Sequence, residues 1–363
     1  MSVYSGLAWR IPAYWCYRRV GVPRLLPMNL TLSLTYRCNS RCGTCNVWKR
    51  KADELTVVEW EQVLRSLGRA PYWVTVSGGE PLLREDAVDI IKLVCRHCRP
   101  AILNIPTNGL LPERIERSVQ DITTAFPNTN VVVNLSLDGW GADHDRIRGI
   151  PGNFERAMDT YRRLKTLRAP GLTLGVHTVV SRLNAESVPD LYVRVRDELA
   201  PDSYITEIAE ERVELGTIGA EITPDAETYR NTIESLMAVQ ADDAPGGLGR
   251  VTWALRQRYY RMVEQWLHTH VMPIPCYAGW ASGQISPDGE VWFCCIKAES
   301  AGNLREAGYD FGKVWWGERA EGMRKAIKAA PCACPLANAA YTNMLHHPPT
   351  LLDVAWELAT KRG

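Results

Sequence analysis

The residues best suited to chemistry are Cys38, Cys42 and Cys45, in the stretch RCNSRCGTCNVW from Arg37 to Trp48. This C-x3-C-x2-C run puts three thiols on one loop, close enough to grip a single metal centre. It is one ligand short of the four that close a structural zinc site or an ordinary iron–sulfur cluster. An open position of that kind separates reactive metal sites from structural ones. A second group, Cys276, Cys294, Cys295, Cys332 and Cys334, lies near the C-terminus, and Cys16, Cys95 and Cys98 fall outside both. Arg10, Arg18 and Arg19 interrupt the apolar start of the chain, which argues against a secretory signal. The eleven cysteines therefore read as metal-binding or redox residues of a reducing, cytoplasmic compartment, not as a disulfide framework.

The elements that must position these residues alternate along the chain. Short β-branched runs at 30–36, 72–76, 101–105, 131–137, 172–180 and 203–208 read as strands, the first leading directly into the cysteine loop. Helical patterns fall between and after them, at 56–69, 85–98, 112–125, 153–168, 187–199 and 225–239. Such alternation implies a parallel sheet covered by helices, the α/β class. Chemistry in such folds sits at the C-terminal ends of the strands. The candidates there are Gly78, Gly79 and Glu80 in SGGEP, Asn108 in PTNG, and Ser136 and Asp138, which share a face because a strand repeats every two residues. Arg148 follows in HDRIRG. Read alone, SGGEP is a tight turn. Glu207, Glu210 and Glu211 close the sixth strand, as either a solvated acidic turn or substrate-facing groups, and His177 on the fifth reads as a core residue. Cys95 and Cys98, about one helical turn apart, read as packing.

The cysteine spacing after a first strand, together with SGGEP, resembles the radical S-adenosylmethionine (radical SAM) superfamily. The resemblance implies a partial (βα)6 TIM barrel. It also implies a [4Fe–4S] cluster on Cys38, Cys42 and Cys45, its open iron chelated by S-adenosylmethionine. The cluster would cleave that cofactor reductively to a 5′-deoxyadenosyl radical, which abstracts hydrogen from an unactivated carbon. Gly78, Gly79 and Glu80 would meet the methionine amino group, Asn108 would lie near the cofactor, Ser136 and Asp138 would serve the ribose and carboxylate, and Arg148 would pair with the carboxylate. Where the family usually has an aromatic residue before the third cysteine, this chain has Thr44.

The run from Cys276 through Gly289 to Cys294, with a Pro287–Asp288–Gly289 turn between two strand-like segments, resembles the opening of the SPASM and twitch domains. With only PCACP downstream, the shorter twitch form with one auxiliary [4Fe–4S] cluster is expected, ligated by Cys276, Cys294, Cys332 and Cys334. Cys295 competes with Cys294, which keeps the Gly spacing. A zinc knuckle on the same four cysteines is the alternative.

The division expected is a basic aromatic segment (1–27), the radical SAM barrel (28–240), a linker and bridging helix (241–273), the auxiliary-cluster domain (274–340) and a C-terminal tail or helix (341–363). No acid precedes Asp53, so residues 1–27 could meet a membrane interface; Pro12 and Pro23 argue against a long helix there and for a strap packed on the core. A net charge of +1 gives no reason to expect a nucleic-acid partner. The reading that follows is a radical SAM oxidoreductase acting on a small or lipid-linked substrate, with an external donor such as flavodoxin or ferredoxin. A maturase of a ribosomally made peptide or protein is the alternative, and a non-catalytic iron–sulfur or zinc protein is a second.

Overall fold

A computed structural model describes residues 6–243, 249–330 and 334–360. Six parallel strands, β1 (Asn29–Thr35), β2 (Trp73–Gly78), β3 (Ile102–Thr107), β4 (Asn130–Ser136), β5 (Leu172–Val180) and β6 (Ser203–Ile208), lie side by side in chain order. Every side chain of β1 but one is buried, as expected for a strand covered on both faces. Helices cross from each strand to the next, at Val57–Leu67, Ala87–Leu93, Pro112–Ala125, Asn153–Thr166 and Val188–Arg194, and Ala226–Gln240 follows β6. The first of them starts at a capping box: the Thr56 hydroxyl accepts from the Glu59 amide, and Glu59 Oε2 accepts from the Thr56 amide at 2.7 Å. It buries Trp60, Val63, Leu64 and Leu67, one face of a 3.6-residue repeat. Cys95 and Cys98 are buried in the core on the wide helical turn that ends Ala87–Leu93, and burial pushes both thiols up to about 12.

The sheet does not stop at β1. Strand β7 (Ser282–Ile285) pairs with it in parallel, Leu32 opposite Ile285, and β8 (Glu290–Trp292) and β9 (Ser300–Asn303) continue antiparallel. The hairpin expected around Pro287–Asp288–Gly289 is therefore the β7–β8 turn, closed by Ser286 and Glu290. It extends the main sheet to nine strands, which periodicity alone could not reveal. Because β7 occupies the free edge of β1, β6 does not pair with β1 among the described residues, and the sheet remains open.

Residues 7–20 form a helix, Leu7–Val20, with Pro12 inside it, where the prolines argued against a long one. The lost backbone bond is outweighed by tertiary packing: Tyr14 and Tyr17 are buried with Met28, Tyr72, Tyr277 and Trp280. Arg10 donates to the carbonyls of Arg69 and Ala70, and Arg18 donates to the Cys276 carbonyl at 2.9 Å. The helix is thus a strap across the N-terminal side of the sheet and the C-terminal region. Trp9 and Val20 remain exposed on it, and Val22 just beyond its end. No helix of the described residues is long and apolar enough to cross a membrane. The bridging helix Gly249–Thr269 precedes the second cysteine group, and helices Ala337–Leu345 and Pro348–Thr360 close the chain.

Candidate active site

The cysteine loop leaves the C-terminal end of β1 and is pinned by backbone bonds on both flanks. Arg41 and Gly43 donate to the carbonyls of Arg148 and Ile147, at the end of helix Ala142–Arg148, and Asn46 donates to the Leu215 carbonyl. Two glycines make this approach possible. A Cβ on Gly79 would stand 2.2 Å from the Arg37 carbonyl, and one on Gly149, at φ +68°, would stand 2.2 Å from the Arg41 carbonyl. The paired glycines of SGGEP thus let β2 close onto the root of the cysteine loop, where the Gly79 and Glu80 amides donate to Thr35 and Arg37.

Each of the three sulfurs receives N–H donors. Cys38 Sγ accepts from the Ser40 amide at 3.4 Å and from Asn108 Nδ2 at 3.7 Å. Cys45 Sγ accepts from the Val47 amide at 3.5 Å, and Cys42 Sγ from Arg148 Nη1 at 3.7 Å. Without a metal, burial pushes the Cys38 thiol up to about 11 and the Cys45 thiol to about 12, so a metal centre must displace their protons to bind. Donors aimed at sulfur are what thiolates of an iron–sulfur cluster need, and Arg148 Nε, buried without a partner, leaves a further donor unspent. The residues present therefore fit a cluster. Among the described residues, no three Cys, His, Asp or Glu side chains converge as the ligands of one metal ion would. The ligands of a four-iron cluster each meet a different iron and need no such convergence.

A cavity of about 180 Å³ lies over this loop at the C-terminal ends of the strands. Every cofactor-binding residue expected from the sequence, Gly78, Gly79, Glu80, Asn108, Ser136, Asp138 and Arg148, lines it together with the three cysteines. Glu80 is spent on the scaffold: its carboxylate accepts from the Asn108 amide at 2.8 Å, the Thr107 hydroxyl at 3.0 Å and the Leu82 amide. Burial nevertheless raises it to about 7. Arg148 pairs with Asp138 at 2.8 Å, both nearly buried. Burial opposes the Arg148 charge, but Asp138 and Cys42 outweigh it and hold its affinity for the proton above the ordinary value. The Asp138 amide donates to His144 Nδ1, whose Nε2 meets Asn153, and Asn153 reaches the Ser40 hydroxyl. Burial, with Arg148 beside it, lowers His144 to about 4, so the ring is neutral.

Several lining residues had no signal in the pattern. Thr44 stands where the family has an aromatic residue, and Val179, Ala209, Leu215 and Ile222 supply apolar wall from three other segments. Arg212, two residues past Glu210, also lines the cavity. Its side chain is largely but not fully buried, 3.1 Å from Glu210 and 3.7 Å from Glu207. Of the acids at the end of β6 and just beyond it, Glu207 and Glu210 line the cavity, whereas Glu211 holds the amides of Gly219 and Glu221. His177 is only half-buried, 3.6 Å from Glu207, instead of in the core.

Of the second cysteine group, Cys276 and Cys294 pack against the main core, while Cys295 is buried with Leu336 and Ala339 beside Cys334. Cys332 lies outside the described residues. Burial raises the Cys295 thiol far above the ordinary range, against the pull of Arg212.

An open parallel sheet with a three-cysteine loop at its strand ends and a cysteine-bearing hairpin on its edge defines a class of iron–sulfur enzyme. Residues 32–195 match the model of the radical SAM superfamily, and residues 276–335 match that of the SPASM iron–sulfur cluster-binding domain. The chain thus carries a radical SAM domain followed by a SPASM domain, and the two together indicate a [4Fe–4S] cluster with S-adenosylmethionine and auxiliary iron–sulfur binding. The PqqA peptide cyclase of Gluconobacter oxydans is 27% identical over 293 residues, 74% of this chain and 70% of its own. The AdoMet-dependent heme synthase of Methanosarcina barkeri is 28% identical over 333 residues, 84% of each chain. The antilisterial bacteriocin subtilosin biosynthesis protein AlbA of Bacillus subtilis is 25% identical over 292 residues, 78% of this chain and 59% of its own. Other curated relatives match over less than half of their own length, among them one at 42%. The solved structure of anSMEcpe with AdoMet and the Kp18Cys peptide shares the fold, at a TM-score of 0.60 and 16% identity over 92% of this chain and 100% of that one.

Proposed function

We propose that this radical SAM enzyme modifies a peptide or protein at an unactivated C–H bond, with net oxidation. A [4Fe–4S] cluster with S-adenosylmethionine supplies one-electron reductive cleavage of the sulfonium and hydrogen-atom abstraction. Cys38, Cys42 and Cys45 would hold that cluster, and Ser40, Asn108, Val47 and Arg148 present N–H groups to their sulfurs. Ser136, Asp138 and the backbone of Gly78 and Gly79 line the space left for the cofactor, whose purine the apolar wall of Val179, Leu215 and Ile222 would cover. Cys276, Cys294, Cys332 and Cys334 would ligate an auxiliary cluster that accepts the surplus electron, and an external ferredoxin or flavodoxin would supply the first.

The observation that carries the chemistry is the convergence of all the expected binding residues and the three cysteines on one cavity. The peptide substrate rests on relatives named for a peptide and a bacteriocin, which favour it over the small or lipid-linked molecule that the sequence suggested. A small-molecule reading draws support from the heme synthase matched along 84% of both chains. Arg10 and Arg18 of residues 1–27 are engaged within the fold, which supports a structural strap over a membrane contact. Anaerobically reconstituted protein given dithionite and S-adenosylmethionine should form 5′-deoxyadenosine, and Cys42→Ala should not. Co-expression with short reading frames encoded beside it should give a peptide that has lost hydrogen by mass spectrometry. An unmodified set of peptides, with turnover on a tetrapyrrole, would overturn the peptide assignment.

A further inference from the structure

The cysteine loop faces the candidate active site on one side and solvent on the other. Gly43, between Cys42 and Cys45, is exposed, as are Arg41 and Lys49 on its two flanks and Lys51 beyond. Neighbouring Cα atoms are about 3.8 Å apart, so a protein touching Gly43 would stand within two residues of two of the three cysteines. From Arg37 to Ala52 the chain has five basic residues, Arg37, Arg41, Lys49, Arg50 and Lys51, and no acid, in a protein whose net charge is only +1.

Two of these charges are spent within the fold. Arg37 pairs with Glu54 at 3.1 Å, and Arg50 donates to the Glu214 carbonyl and lies over the Tyr36 ring. Arg41, Lys49 and Lys51 have no carboxylate partner among the described residues. Arg41 is nonetheless fixed: its guanidinium donates to the carbonyls of Cys38 and Ser40 and lies 4.3 Å from the Trp48 ring centroid, with Lys49 5.2 Å from the same ring. Two segments pack against the loop, helix Ala142–Arg148 and residues 211–221, and their exposed acids, Asp143 and Glu221, are paired with Arg146 and Arg182. Apolar surface lies beside the charge. Leu183 is 39% exposed and so close to Gly43 that a Cβ there would stand 2.9 Å from its Cδ1. Ile218, 65% exposed, comes two residues after Gly216, whose carbonyl accepts from Asn46 Nδ2 at 3.1 Å. Exposed apolar groups flanked by charges of one sign have the anatomy of a docking face.

Resting on the reading that an external donor supplies the first electron, we propose that the outer face of the cysteine loop is the docking surface for a small acidic one-electron donor protein. The donor loses one electron and the cluster on Cys38, Cys42 and Cys45 gains it; no proton moves and no bond forms or breaks. Lys49 and Lys51, with Arg41, meet carboxylates around the donor's redox group, and Gly43, Leu183 and Ile218 take the close contact.

The probe is a flavodoxin, photoreduced and limiting, supplied anaerobically to the reconstituted full chain with S-adenosylmethionine; reduced methyl viologen, a cation, is the control donor. Lys49→Glu with Lys51→Glu should slow flavodoxin-driven 5′-deoxyadenosine formation at least about tenfold at low ionic strength, while the viologen-driven rate holds and added salt narrows the difference. Arg319→Glu with Lys325→Glu makes the same change of charge on helix Glu318–Ala329, outside this face, and should leave the flavodoxin rate near that of the wild type. Independently of turnover, carbodiimide coupling of oxidised flavodoxin to the reconstituted chain without S-adenosylmethionine should give cross-links at Lys49 or Lys51 by mass spectrometry. An unchanged flavodoxin rate in the loop variant, an equal loss in the helix variant, or cross-links confined to other lysines overturns the docking face. Wild-type turnover with viologen but none with flavodoxin overturns it together with the donor reading. No 5′-deoxyadenosine from the wild type with either donor would sink the radical chemistry instead, and the cross-links would then decide the docking face by themselves.

Discussion

Replacing Asp138 by Asn tests whether the buried pair with Arg148 is what holds the cavity wall together. The two side chains are 2% and 11% exposed, and their closest approach is 2.8 Å. The substituted amide's oxygen could still accept from the Val179 N–H, as the Asp138 carboxylate does at 2.9 Å, so the change removes mainly the charge. An Arg148 cation left enclosed without its partner costs about 3–5 kcal/mol. Arg148→Met in the same chain removes the orphaned charge, so the double variant should recover part of the loss, with a coupling of about 1–3 kcal/mol. Urea unfolding of the reduced, metal-free protein under anaerobic conditions, followed by tryptophan fluorescence, measures all four corners of the cycle. Iron content after reconstitution is a second readout, because Arg148 reaches Cys42 Sγ at 3.7 Å and an unrestrained guanidinium would no longer be aimed there. If Asp138→Asn costs less than about 1 kcal/mol, or the single effects simply add, the buried pair is not what holds the wall.

Gly79→Ala should abolish iron loading on the first site, because its Cβ would stand 2.2 Å from the Arg37 carbonyl and must push the cysteine loop aside; normal cluster absorbance in the variant would refute this. Gly322→Ala, in helix Glu318–Ala329 with nothing within 4 Å of the new methyl, should raise stability by up to about 1 kcal/mol, checked by the urea midpoint. Glu80 carries a pH dependence. Burial lifts its pKa from 4.5 to about 7, so the folded protein keeps a proton that the unfolded chain releases, and stability falls as pH rises through that window. The loss is about 3 kcal/mol, and Glu80→Gln should flatten it; parallel profiles for the two proteins between pH 5 and 8 would contradict the assignment. Replacing Cys38, Cys42 and Cys45 together by Ala should leave about half of the iron, held by the second cysteine group, if each group carries one four-iron cluster. Complete loss of iron would count against an independent auxiliary site.

Much of the α/β sheet was legible because its strands are continuous β-branched runs and its helices keep a 3.6-residue stripe. Helix Pro112–Ala125 and strand Leu172–Val180 begin and end where the pattern puts them. The cavity residues were legible for a different reason: all but Arg148, which ends the helix after β4, sit at or just beyond the end of a strand, and parallel strands bring those ends to one face. What local pattern could not carry was long-range. Helix Leu7–Val20 depends on Tyr14 and Tyr17 meeting Tyr277 and Trp280, more than 250 residues away, and no propensity scale includes that term. Of the apolar wall, Leu215 and Ile222 come from a loop whose sequence has no period, and Val179 lies on β5 with nothing in its type to mark it as facing the site. Arg212 was hidden by its context, since a charge within EERVE reads as a solvated turn until burial is known.

The edge pairing of β7 with β1 also bears on how the two cysteine groups relate. Cys38 follows β1 by three residues, and Cys276 and Cys294 flank the β7–β8 hairpin. Asn29 to Leu32 pair in register with Ser282 to Ile285, so the two groups are spaced by a hydrogen-bonded ladder and not by a linker. Additional ties cross the same seam: the Leu55 amide donates to the Pro287 carbonyl at 2.7 Å, and Arg305 binds Asp53 and Glu59. The rate of electron exchange between two centres depends on their separation, and a shared sheet would hold the two cysteine groups at a fixed one. Weakening the seam by Arg305→Ala, outside both cysteine groups, should therefore slow reoxidation of the reduced auxiliary centre in freeze-quenched samples while leaving the iron content of each site intact. An unchanged rate would mean that β7 alone fixes the spacing.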